Sequence, residues 1–222
     1  MTSEDLARGS YPAPVSVPYE PTSEERALRD EAVSVLREHA SRRGDPLILP
    51  SDSMPELHAR LLTLASETPE DEDLSQQAWT LLDRMEGSLA SDSRLVAMDR
   101  ILEREAAAGA RCVVIASTWT DAKYIAEHIA STGKAPRAVL SGATTATDRR
   151  SALSGLGPGE SLVSTRMVSE SADGWPADST VILWPSPANP RVLEAPHLTA
   201  EGTPGVTVYE LRESNYLDAP VL

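Results

Sequence analysis

Apolar positions recur at helical spacing from Leu28 to Leu82, then give way to short unbroken runs of β-branched residues. Before the first of these, residues 1–21 carry Pro12, Pro14, Pro18 and Pro21 with no period, which predicts an extended tail. Thr22 and Glu25 stand at capping-box spacing, and Leu28, Ala32, Val35 and Leu36 repeat at helical intervals in a segment reaching Arg43. Gly44 then stops the helix. A second helix is predicted over Pro55–Ala65, with Leu57, Leu61, Leu62 and Leu64 apolar. A third spans Leu74–Met85, with Ala78, Trp79, Leu82 and Met85 on one side. Ser66–Asp73 (SETPEDED) between them reads as a solvated acidic connector.

From Ser91 the pattern changes. Asp92 or Ser93 caps a helix over Leu95–Ala108, which ends at Gly109. CVVIA (Cys112–Ala116) is wholly apolar, as a strand covered on both faces must be. A helix over Thr120–Ser131, a strand over Arg137–Leu140 and a helix over Thr147–Leu153 follow. Further strands are predicted at Ser161–Ser164, Thr180–Trp184 and Val206–Leu211. Strands alternating with helix-length segments need crossover connections, hence a mostly parallel sheet with helices on both faces. The expected organisation is a tail (1–21), a small helical region (22–90) and an α/β lobe (91–222). Val113, Val114, Ile115, Leu162, Val163, Val181 and Ile182 form its expected core.

Composition removes several classes. The 222 residues carry 34 acidic against 20 basic side chains, a net charge of −14, with Lys123 and Lys134 the only lysines. A free-standing nucleic-acid binder gains affinity by releasing phosphate counterions through a Lys/Arg-rich face, so tight unaided binding is not expected. No apolar run approaches the ~18 residues of a membrane span, and MTSEDLARGS lacks the basic start of a secretory leader. A cytoplasmic location is the expectation. One cysteine, Cys112, leaves no disulfide framework and reads as a small core residue. The four histidines are too scattered for a zinc site. Trp119 and Tyr124 are open to two readings, nucleobase platforms or helix packing, and helical spacing favours packing. Trp175 and Trp184, each before a proline, read as core or sheet-end packing.

Strand ends are where open α/β sheets place ligand contacts. Ser117 and Thr118 end the first predicted strand, Ser141–Gly142 the second and Thr165 the third. A glycine lets backbone approach a phosphate, Thr147 behind it can cap a helix, and a hydroxyl with a backbone N–H can hold a phosphate. In order, the second half reads SRLVAMDRILERE, CVVIAST, TDAKYIAEHIASTG, RAVLSGATTATDRRSAL, SLVSTRMVSES, TVILWPSPANP and VTVYELRESNYLD. This succession resembles the C-terminal RecA-like lobe of superfamily-two helicases, and in particular the helicase-like ATPases of the Swi/Snf remodeller group. It covers about residues 91–218. The resemblance implies a RecA-like fold and phosphate contacts by Ser117, Gly142, Thr165 and Arg166. Arg149 matches the arginine of the family's "G…R" segment.

The departures from that family carry as much information. After Thr165 and Glu170 the family's "T…EG" glycine is replaced by Ser171, with Gly174 three residues on. After Asn189-Pro190 the family places Gln-x-x-Gly-Arg-x-x-Arg, whose arginines reach the nucleotide of the opposite lobe. Here the chain reads RVLEAPHLTAEGTPGV, with no arginine between Arg191 and Arg212 and a helix-breaking Pro196. Such an arginine is worth roughly 10³–10⁵ in phosphoryl-transfer rate. No G-x-x-x-x-G-K-[ST] loop occurs in the chain. No catalytic residue, metal or cofactor is therefore expected, nor ATP hydrolysis by this chain alone.

Two readings follow. The chain is a non-catalytic helicase-like module, a protein-interaction scaffold in a DNA-processing, replication or defence assembly. Its partner is then another protein, such as a helicase or DNA-processing enzyme, with nucleic acid met weakly or only within the complex and no membrane involved. Alternatively it is the second lobe of a split ATP-dependent helicase or translocase completed by another chain. A third reading, an acidic decoy for a basic nucleic-acid channel, requires the carboxylates to cluster on one face.

Overall fold

Thr22 starts the first helix, as its spacing to Glu25 predicts. The computed structural model describes residues 15–49, 52–67, 71–165, 179–184 and 206–214. In it the Thr22 hydroxyl accepts from the Glu25 amide at 3.1 Å, and the Glu25 carboxylate accepts from the Thr22 amide. Helix α1 (Ser23–Arg43) closes on Gly44 at φ 72°, a left-handed turn favouring glycine. With α2 (Met54–Glu67) and α3 (Glu72–Leu89) it encloses a core of its own. Leu28 and Ala32, Leu57 and Leu61, and Leu74, Ala78 and Met85 meet there with almost no exposed surface. Trp79 and Leu62 depart from expectation, at 50% and 43% exposed. The inward stripe of α3 runs through Ala78, Leu82 and Met85, and Trp79 stands about 100° round the helix from Ala78.

The sheet begins inside the segment expected to be a tail. Val15–Tyr19 form strand β1, paired in parallel with the last strand and forming one margin of the sheet. Pro18 has no N–H to donate, so it is tolerated there and would not be in a central strand. With Val15, Val17 and Tyr19 set between prolines, the alternation is too short to distinguish strand from tail. The sheet continues with β2 (Arg111–Ala116), β3 (Val139–Leu140), β4 (Ser161–Thr165), β5 (Ser179–Trp184) and β6 (Thr207–Glu213). The order is β1-β6-β5-β2-β4-β3, every pair parallel, and the described residues form six strands where five were expected.

Helices cover both faces. Val114, Ala116, Val163 and Ile182 turn to the face packed by Leu95, Met98 and Ile101 of α4 (Ser93–Ala107) and Ile125 and Ile129 of α5 (Trp119–Ser131). Val113, Ile115, Leu162, Val181 and Leu183 turn the other way, toward Leu153 of α6 (Ala146–Ser154). This period-two division of wholly apolar strands is what a sheet sandwiched between helices requires. The seven expected core residues are each 2% exposed or less. Among the described residues no helix is long and apolar enough to cross a membrane. Arg166, Glu170, Ser171, Gly174, Trp175, Asn189-Pro190, Arg191 and Pro196 lie outside the described residues.

Candidate nucleic-acid interface

Because every strand runs the same way, all strand ends fall on one edge of the sheet. Leu140 pairs with Ser164, and Ala116 with both Thr165 and Trp184. Ser117, Ser141 and Thr165 therefore end three adjacent strands, about 4.8 Å from one to the next. Three of the four residues carried over by resemblance, Ser117, Gly142 and Thr165, lie at this edge, and Arg166 is outside the described residues. The Ser117 hydroxyl donates to the Trp184 carbonyl at 3.1 Å, tying the ends of β2 and β5 together. Thr165 is buried, 8% exposed, so it offers its strand-end position more than a free hydroxyl.

Gly142 is exposed at the tip of a turn built by its neighbours. The Ser141 amide donates to the Thr144 hydroxyl at 2.9 Å, and the Ala143 amide to the Ser141 hydroxyl at 3.2 Å. Helix α6 is capped by Thr145, whose hydroxyl accepts from the Asp148 amide at 3.1 Å, so Thr147 is not the cap. Arg149 donates to the Thr144 carbonyl at 3.0 Å and so braces this turn from behind.

The net charge is uneven along the chain: residues 22–90 hold 15 acidic and 7 basic side chains, whereas residues 91–165 hold 8 acidic and 9 basic. The stretch that carries Ser117, Gly142 and Thr165 is thus nearly balanced in charge, whereas residues 166–222 hold 8 acidic against 3 basic side chains. Trp119, set aside as packing, is 46% exposed in the first turn of α5, with exposed Lys123 one turn on. Its place directly after the strand-end Ser117-Thr118 pair was the available signal. Tyr124 does pack, edge-on to Trp184 at 6.5 Å between ring centres.

Beneath the edge lies a charged network that joins the helical region to the sheet. Arg94 is 5% exposed, its guanidinium 5.2 Å from the Tyr19 ring centre and 4.8 Å from that of Trp184. Its Nε donates to the Tyr19 hydroxyl at 3.2 Å. Asp92 caps α4 through the Arg94 amide at 2.8 Å, and Asp121 accepts from the hydroxyls of Ser53 and Thr118. Burial pushes both carboxyls above the usual carboxylate range, and Arg94 opposes that rise. Glu25 reaches from α1 to the Ser93 amide and hydroxyl, each at 2.7 Å. Arg29 of α1 grips Glu213 of β6 with two bonds, at 2.8 and 3.2 Å. Among the described residues no group of three or more His, Cys, Asp or Glu is placed to hold a metal.

No family model matches the chain, and no curated protein does. Solved structures do. The helicase domain of Pyrococcus furiosus Hef superposes over 96% of this chain at a TM-score of 0.63, with 12% identity. The chain spans 58% of that domain's length. The C-terminal part of the Fun30 ATPase domain superposes over 92% of this chain and 86% of its own, at a TM-score of 0.54 and 12% identity. The α/β, RecA-like fold of this chain is thus shared with the Hef helicase domain and with the C-terminal part of the Fun30 ATPase domain.

Proposed function

We propose that this chain is a non-catalytic helicase-like module of a DNA-processing assembly, joined to another protein and offering the C-terminal edge of its sheet to a nucleic-acid strand within that complex. The observation that carries the proposal is the survival of the edge without the chemistry. Ser117, Gly142 and Thr165 are assembled on adjacent strand ends, and residues 91–165, which carry them, hold 8 acidic and 9 basic side chains. Yet the chain has no phosphate-binding loop, and no arginine lies between Arg191 and Arg212. Neutral contacts contribute only about 1 kcal/mol each, so a strand held by these groups needs a partner's basic surface to stay bound.

A second reading, one lobe of a split ATP-dependent helicase, is favoured by the coverage of the Hef helicase domain, of which this chain accounts for little more than half. Photocrosslinking to capture the partner, followed by turnover measured with it, separates the two. A benzoylphenylalanine at Lys123, on the edge, is expected to trap a partner in native cells, whereas one at Arg84 on α3 is not. Purified with that partner, a scaffold leaves ATP turnover unchanged. A split lobe creates turnover that neither chain has alone, and that result would overturn the proposal.

A further inference from the structure

We infer that Trp119 is a stacking platform for an unpaired base, so that the strand met by this edge is single-stranded. The inference rests on the nucleic-acid reading proposed above and specifies its ligand. Trp119 keeps nearly half its surface in solvent, while Trp184, at the same edge, is fully buried. Its backbone is held firmly: the Thr118 hydroxyl accepts from the Asp121 amide at 3.1 Å and donates to the Asp121 carboxylate at 3.0 Å. Asp121 is in turn anchored by Ser53 at the start of α2. An exposed indole on such a base presents a π-face at little further entropic cost.

What surrounds the ring selects the ligand. Lys123 lies one turn along α5 from Trp119, exposed and with no ion-pair partner among the described residues. Ser117 precedes the ring by two residues, and the exposed Gly142 turn ends a strand of the same edge. An exposed aromatic face one helical turn from a cation, at the sheet edge that also carries the Gly142 turn two strands away, suits a nucleotide whose base is free to stack. Bases in a duplex are stacked on one another and show the ring only their edges. Trp79, the other half-exposed tryptophan of the described residues, lies on α3 in the acidic helical region and serves as the control.

Fluorine NMR of the full chain labelled with fluorotryptophan tests this, with resonances assigned through Trp119→Phe and Trp79→Phe. At an ionic strength of about 0.15 M, where repulsion between the acidic chain and the strand is screened beyond about 8 Å, oligothymidylate at millimolar concentration is expected to move the Trp119 resonance and leave Trp79 in place. A hairpin duplex of equal length leaves both in place. Trp119→Ala weakens single-strand binding about tenfold, and Trp119→Tyr recovers most of the loss. If oligothymidylate perturbs the amides of Ser117, Gly142 and Thr165 but Trp119→Ala binds as well as the parent, stacking is wrong and the edge reading stands. Equal displacement of Trp119 by the duplex overturns the single-strand assignment. No perturbation of those amides by either ligand overturns the edge reading and the platform together.

Discussion

Replacing Arg94 with methionine should be the most damaging single change at the junction between the helical region and the sheet. Methionine keeps the length and apolar stem of the side chain but removes its charge. What is lost is the guanidinium between the Tyr19 and Trp184 rings, 5.2 and 4.8 Å from their centres, and the 3.2 Å bond to the Tyr19 hydroxyl. What is left behind matters more: Asp92 and Asp121, at 7% and 0% exposed, lose their shared counter-charge. Loss of the charged bond to the Tyr19 hydroxyl costs about 1.5–3 kcal/mol, and cation–π contacts of this kind add up to about 2 more. Against a typical stability of about 5–15 kcal/mol, Arg94→Met should forfeit roughly 4, read from urea denaturation followed by circular dichroism. The loss should depend on pH. A carboxyl whose folded pKa is raised contributes stability that is present below its unfolded value, about 3.9, and lost as pH rises through the folded value. Burial raises both groups and Arg94 limits the rise. Without Arg94 both rise further, so the penalty should be larger at about pH 7 than at about pH 4. Asp121→Asn in the Arg94→Met background should recover part of it near neutrality. A loss below about 1 kcal/mol, or one flat with pH, would refute the charge network as the brace of this junction.

Three other outcomes are expected. Arg29→Ala leaves Glu213, 6% exposed, with Arg26 at 4.0 Å as its ion-pair partner among the described residues, and should cost about 2 kcal/mol while loosening both α1 and β6 in hydrogen exchange; protection lost in α1 alone would contradict that link. The Cys112 thiol is buried at the start of β2, and burial pushes its pKa up to about 11. An aromatic disulfide reagent should therefore label it only as fast as the chain unfolds, and rapid stoichiometric labelling in native buffer would be inconsistent. Fluorescence anisotropy at physiological salt should show the isolated chain binding DNA no tighter than ~10⁻⁴ M; micromolar binding abolished by Thr165→Ala with Arg166→Ala would show that the edge needs no partner.

The core of the lobe was legible because burial on both faces leaves strands such as Cys112–Ala116 with no polar positions at all. Helix starts were legible where a side chain must serve a free amide, as Thr22 and Asp92 do, whereas Thr118, which reads as a strand end, proves to cap α5. Strand β1 was not, because its pairing partner lies nearly 200 residues away and its prolines mask the alternation. Arg94 was hidden for a related reason: at the start of an amphipathic helix it reads as a solvated cation, and only the tertiary meeting of Tyr19, Asp92, Asp121 and Trp184 explains its burial. The strand-end candidates were visible from chain order alone. The braced turn around Gly142 was not, since Thr145 rather than Thr147 caps the helix behind it.

A steady-state phosphate-release assay on the chain, first alone and then with its crosslinked partner, is the direct test of a helicase-type lobe without catalysis. With ATP, magnesium and saturating single-stranded DNA, no turnover above background is expected from the chain alone. With the partner present, the rate should equal the partner's own. Turnover that copurifies with this chain, or that appears only on mixing and is lost on changing Ser117 or Arg149, would contradict it.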